Sequence, residues 1–148
     1  MKPLGSILLV EDDEADVKIL KRTFKQLGVE NPVVNAANGE EAMRYLQSPN
    51  NPWPVLILLD LNMPLMNGFE FLRVVKADET LKTIPVIILT TSDQSCDIQK
   101  GYQLGAAGYI TKKANVQEFL STIKGFNNYW NLSLLPSLEY WPNTISSG

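Results

Sequence analysis

Four short apolar runs that do not alternate with polar residues constrain this chain most: Ile7-Leu8-Leu9-Val10, Val33-Val34, Val55-Leu56-Ile57-Leu58-Leu59 and Val86-Ile87-Ile88-Leu89. A weaker fifth, Gly108-Tyr109-Ile110, follows them. A strand with one face in water alternates apolar and polar residues; a run apolar at every position belongs to a parallel strand covered on both faces. Helical patterns lie between the runs. Val17, Leu20, Phe24 and Leu27 share one helix face, and Gly28 follows as a stop. Ala42 and Leu46 mark a second helix starting near Asn38-Gly39. Phe71, Leu72 and Val75 mark a third, and Ile98 and Tyr102 a fourth. Val116, Phe119, Leu120 and Ile123 mark the fifth, whose stripe continues through Phe126 to Trp130. The stretch from Ser48 to Pro54 is too rich in Pro and Asn for regular structure and reads as a loop.

Strand followed by helix, five times over, predicts an α/β fold. With right-handed crossovers it is a doubly wound (βα)5 sandwich around a five-stranded parallel sheet. The expected order is 2-1-3-4-5, as in flavodoxin-like folds, with the first strand central. A chain of 148 residues suits one such domain. The expected division is a domain over residues 1–128 and a C-terminal extension over 129–148. The extension carries Leu132, Leu134, Leu135, Pro136, Tyr140, Trp141 and Pro142 without a clear period. It either folds back on its own domain or packs at a dimer face.

Composition removes many functions. The chain has no histidine, so His triads, His metal sites and His general bases are excluded. Cys96 is the one cysteine, which rules out an intrachain disulfide; it reads as a small helix filler, with a redox role as the alternative. The net charge is −3 and no basic cluster exceeds the pair Lys112-Lys113, which disfavours nucleic-acid binding. No apolar run approaches the roughly 20 residues of a membrane span. The expectation is a cytoplasmic protein without membrane or nucleic-acid partners.

In an open parallel sheet, ligands bind beyond the carboxyl ends of the strands where strand order reverses. Strand 1 runs into Glu11-Asp12-Asp13, strand 3 into Asp60, strand 4 into Thr90-Thr91-Ser92, and strand 5 into Lys112-Lys113. Glu11-Asp12-Asp13 alone would suit helix capping. Gathered with Asp60, such carboxylates repel one another unless one is protonated or a hard divalent cation such as Mg2+ sits among them. An aspartate in that setting can attack phosphorus and form an acyl phosphate, with the metal and Lys112 offsetting the charge.

These residues, in order, resemble the receiver domain of two-component response regulators. The motifs are Val10-Glu11-Asp12, Asp60-Leu61-Asn62-Met63-Pro64 with Asn67-Gly68, Thr90, and Gly108-Tyr109-Ile110-Thr111-Lys112. The resemblance spans about residues 5 to 128. It implies that Asp60 is the phosphoacceptor. It also implies that Asp12 binds Mg2+ directly, Glu11 through water, and Asn62 by its backbone carbonyl, beside Asp60 itself. Thr90 would hydrogen-bond the phosphoryl group and Lys112 would pair with it. Tyr109 matches the aromatic that turns inward on activation, although a half-buried strand tyrosine is an equally good reading. Asp13 is read as a cap for the first helix. Lys113 stands where the family usually has Pro, often behind a cis bond; a cis bond without Pro costs about 3 kcal/mol, so the expected Lys112–Lys113 bond is trans.

Three rivals fare worse. A phosphohydrolase with an aspartate nucleophile needs a second acid two residues on, where Asn62 stands. A flavin protein needs a Ser/Thr/Gly-rich phosphate loop, which Glu11-Asp12-Asp13 is not. A degenerate scaffold would have lost the intact set. The expected function is a stand-alone, phosphorylation-controlled signalling module, not an enzyme beyond its own phosphoryl transfer and dephosphorylation. Its partners would be a sensor histidine kinase and a downstream phosphorelay protein. The loop through Trp53-Pro54, the run from Leu81 to Ser92, and Trp130 ahead of Leu135-Pro136 resemble regulators associated with cyanobacterial phytochromes. Those tend to pair through helix 4, strand 5, helix 5 and the tail, so a homodimer using that face is expected.

Overall fold

The computed structural model describes residues 5–63 and 65–112. Strands β1 (Ser6–Val10), β2 (Val33–Ala36), β3 (Pro54–Leu59), β4 (Val86–Thr90) and β5 (Gly108–Thr111) alternate with helices α1 (Glu14–Gln26), α2 (Gly39–Gln47), α3 (Gly68–Ala77) and α4 (Ser95–Gln103). All pairings are parallel and the order is β2-β1-β3-β4-β5, as the apolar runs imply.

The missing alternation has a direct cause: neighbouring residues of one strand enter two different cores. Leu8, Val10, Ile57, Leu59, Val86 and Ile88 pack with Ala42 and Leu46 of α2 and Phe71, Leu72 and Val75 of α3. Ile7, Leu9, Leu56, Leu58, Ile87 and Leu89 pack with Val17, Leu20 and Phe24 of α1. Burying each such side chain stabilises the fold by about 1.5–3 kcal/mol before chain entropy is set against it. Helix starts are fixed by side-chain caps. Asp13 accepts from the amides of Ala15 and Asp16, Asn38 from that of Glu41, and Asn67 forms a reciprocal capping box with Glu70. Gly28, at φ 76°, ends α1 in the left-handed region, as read from the sequence.

Helix α4 forms where Ile98 and Tyr102 mark it, but it is not seated by them. Its buried residue is Gly101, whereas Ile98 is half-buried and Tyr102 is 50% exposed. A Cβ on Gly101 would lie 2.6 Å from Ile88 Cδ1, so the helix approaches the sheet through a missing side chain rather than an apolar stripe. Cys96 is exposed on α4 and fills no core position. A 3-10 turn at Leu81–Thr83, unmarked by periodicity, plants Leu81 in the core under α3. The fifth helix, the Lys112–Lys113 peptide and the extension over 129–148 lie outside the described residues. Among the described residues no helix is long and apolar enough to cross a membrane.

Gly68 seats α3 directly on the end of β3. Its amide donates to the Leu61 carbonyl at 3.1 Å. A Cβ there would lie 2.4 Å from the Asp60 carbonyl oxygen and 2.6 Å from Leu61 Cα, both backbone atoms with little freedom to yield. Gly68→Ala should therefore lower unfolding stability by about 1–3 kcal/mol, the usual cost of overpacking. Urea denaturation checks this; a variant as stable as the parent would contradict the seating.

Candidate functional site

The sheet order reverses between β1 and β3, and the crevice beyond their carboxyl ends is where this fold places a ligand. Backbone hydrogen bonds extend the ladder past both strands. The Glu11 amide donates to the Ala36 carbonyl (2.9 Å) and the Asp60 amide to the Val10 carbonyl (3.0 Å). Asn35 Nδ2 donates to the carbonyls of Leu9 and Glu11, each at 3.0 Å. The main chain thus sets two carboxylates side by side. With exposed Asp12 they bring carboxylate oxygens within 4.8 Å of one another. Glu11 is 2% exposed and Asp60 7%.

Lys112 enters this cluster from the end of β5. Its amide donates to the Thr90 carbonyl at 2.6 Å. Its Nζ hydrogen-bonds to Glu11 Oε1 and, at 2.8 Å, to Asp16 Oδ2, and lies 4.0 Å from Asp60 Oδ2. Burial pushes the Glu11 carboxyl up to about 7; the Lys112 hydrogen bond opposes that shift and the nearby Asp60 adds to it. Burial also works against the Lys112 charge, but hydrogen bonds to Asp16 and Glu11 outweigh it and hold the ammonium above the usual lysine range. Oxygen-only donors, two shielded and one open to water, with one ammonium to answer several carboxylates, suit a hard divalent cation.

Thr90, fully buried, ends β4 on the strand next to β3. Its Oγ1 lies 3.5 Å from the Ser92 amide. Tyr109 donates its hydroxyl to the Ser92 carbonyl at 2.9 Å, and Ser92 Oγ donates to Asp97 Oδ2 at 2.6 Å. Burial holds the Tyr109 phenol above its ordinary range, against the Ser92 hydrogen bond and with the charges of Asp97 and Asp93. Thr90 and Tyr109 therefore meet on one segment, through Ser92. Beside it a groove of about 450 Å³ is lined by Leu61, Asn62, Met63, Asn67, Phe69 and Asp97.

The sequence profile of the response regulator receiver domain matches residues 7–124. This chain belongs to that family. It is 37% identical over 132 residues to the response regulator Rcp1 of Synechocystis sp., covering 86% of this chain and 90% of that protein. It is 32% identical over 127 residues to a probable methanogenesis regulatory protein, FilR2, of Methanothrix harundinacea, covering 84% and 82%. Among solved structures, the phosphorylated cyanobacterial phytochrome response regulator RcpA superposes with TM-score 0.81 at 40% identity, covering 90% of this chain and 99% of that one. The Mn2+-bound form of Rcp1 gives 0.80 at 36% identity, with the same coverage. The likeness to phytochrome-associated regulators read from the sequence is thus borne out, and the receiver is a signalling domain rather than a conventional enzyme.

In this receiver the fold brings Glu11, Asp12, Asp60 and Lys112 together. Thr90 lies at the adjoining strand end, and Tyr109 one strand farther out. Asn62 is exposed two residues beyond Asp60 and lines the groove. Asp13 caps α1, and its own amide lies 3.3 Å from Glu11 Oε2. Two residues went unread. Asp16 was hidden by distance in sequence from Lys112; the available signal was its place in the first turn of α1, just after the Asp13 cap. Ser92 was visible in the Thr90-Thr91-Ser92 run, but nothing local marks it as the acceptor for Tyr109.

Because the folded Glu11 carboxyl titrates near 7 against an ordinary value of 4.5, the folded state binds more protons across that interval. Stability in chelator should therefore fall as pH rises through the interval and level off above it. Chemical denaturation in chelator across pH 4.5 to 8 checks this. Glu11→Gln should flatten the profile; an equally steep decline in that variant would place the titrating group elsewhere.

Proposed function

We propose that Asp60 receives a phosphoryl group from the phosphohistidine of a sensor histidine kinase. Glu11, Asp12, Asp60 and the backbone carbonyl of Asn62 would hold Mg2+. Histidine kinases phosphorylate receivers as a family, and the observation that carries the assignment here is the position of Asp60. It is nearly buried, shares a three-carboxylate cluster, and has the Lys112 ammonium 4.0 Å from its Oδ2. The similar RcpA is described as phosphorylated and the similar Rcp1 as Mn2+-bound, which supports both parts of the reading.

A carboxylate oxygen of Asp60 forms the new bond to phosphorus while the P–N bond of the donor breaks, its electron pair leaving on the imidazole nitrogen. A bound divalent cation supplies charge neutralisation for the phosphoryl oxygens. Lys112 pairs with one of those oxygens, and the Thr90 hydroxyl donates to another. A shift of Thr90 towards the phosphoryl group alters the segment whose Ser92 carbonyl holds Tyr109, which carries the event to the surface of α4 and β5. Attack of water on the acyl phosphate returns Asp60 and inorganic phosphate, so the domain resets itself without processing another substrate. Signal then passes by protein contact, to a phosphorelay partner or between two copies. Incubation with acetyl phosphate and Mg2+ should add one phosphoryl mass to the parent and none to Asp60→Asn; an adduct retained by the variant would overturn the assignment.

Pairing of two copies is proposed through α4, β5, the fifth helix and the extension over 129–148. Half-exposed Tyr102 on α4 and the half-buried residues of β5, an edge strand of the described sheet, support it. Sedimentation at micromolar concentration, with and without phosphorylation, should give a dimer mass in at least one state. A monomer in both would remove the proposal.

A further inference from the structure

Lys112 has more carboxylates around it than the phosphoacceptor reading requires, and one of them stands apart. Asp16 Oδ2 lies 2.8 Å from Nζ, closer than Asp60 Oδ2 at 4.0 Å. Yet Asp16 is not among the three residues whose oxygens converge for a cation. Its place is set by the start of α1, where the Asp16 amide donates to Asp13 Oδ1 at 3.2 Å. The site therefore contains a conflict and an outlet for it. Glu11 is held by the Lys112 ammonium, and a divalent cation entering the cluster would compete for that same carboxylate. Two cations cannot share one carboxylate at close range without strong mutual repulsion. Asp16 offers Lys112 a partner that the incoming cation does not use.

We propose that Asp16 is a positioning residue for phosphoryl transfer: it holds Lys112 from the far side of the cluster, so that Lys112 yields Glu11 to the metal and still stands beside Asp60. The inference rests on the reading of Asp60 and Lys112 above and deepens it. Asp16 touches neither the phosphoryl group nor the metal and acts through Lys112. Its side chain is 33% exposed against 16% for Lys112, so the contact is partly screened and its effect is moderate.

Calorimetric titration with Mg2+ at constant ionic strength tests this on the parent, Asp16→Asn, Lys112→Met and the double variant. In the presence of Lys112, Asp16→Asn should weaken Mg2+ binding about fivefold, the scale of a partly screened ion pair. With Met at position 112, the same substitution should cost about twofold or less, since only its long-range field remains. Asp16→Glu should recover most of the affinity. At saturating Mg2+, Asp16→Asn should also take a phosphoryl group from acetyl phosphate several-fold more slowly than the parent. Equal weakening of Mg2+ binding in both backgrounds would overturn the proposal, because Asp16 would then act as a field source or a ligand. Failure of the Asp60 assignment would appear separately, as a phosphoryl adduct on Asp60→Asn, while the titrations judge Asp16 alone.

Discussion

Carboxylates brought together at the end of a parallel sheet repel one another, and the rest of this site is arranged around that repulsion. Glu11 and Asp60 are side by side because the β1–β2 and β1–β3 ladders run one residue past the strands and leave their side chains no other place. Their burial makes the repulsion costly, and Lys112 is the ammonium set against it. That Lys112 comes from β5, two strands from β3, means the whole sheet must be assembled before the charges are balanced. Receivers as a family bind a divalent cation at such an acidic pocket, and the same imbalance suits the phosphoryl transfer proposed for Asp60. The site is therefore built at the expense of stability, and the two cores on either side of the sheet must offset the cost.

The signalling side of the molecule depends on a different set of contacts. Thr90 is locked in the core at the end of β4, but two residues later Ser92 is hydrogen-bonded through its carbonyl to Tyr109 and through its hydroxyl to Asp97. Under the proposed switch, a shift at Thr90 would reach α4 through the hydrogen bonds of Ser92 to Tyr109 and Asp97. Helix α4 suits that purpose. It rests on the sheet at Gly101 and buries little apolar surface, and its N-cap residue, Gln94, makes no side-chain cap. Helices α1, α2 and α3 are each side-chain capped and planted in a core. A lightly held helix beside a tightly held site is how a small chemical change reaches a surface.

Much of this could be read in one dimension, and the residues explain why. Uninterrupted runs such as Val55 to Leu59 report burial on both sides, which only a covered parallel strand provides, and the caps Asp13, Asn38 and Asn67 act within three residues of themselves. Asp60 stood out because a charge ending such a run has to be answered by something. What the pattern left open also has physical causes. Ile98 and Tyr102 have helical spacing but only partial burial, because Gly101 lets α4 lie close without them. Leu81 belongs to the core through a 3-10 turn too short to show a period.

Local sequence determined what depends on neighbours along the chain: strand and helix identity, helix starts, and a set of acids, a hydroxyl and an amine at strand ends. Tertiary structure decided which of those groups meet. Lys112 and Asp16 are separated by 96 in sequence number, and Tyr109 and Ser92 by 17. No periodicity carries such information, because a side-chain contact between distant segments is set by strand order and register. The partners of Asp16 and Ser92 are thus settled only by the tertiary arrangement that brings the end of β5 to them.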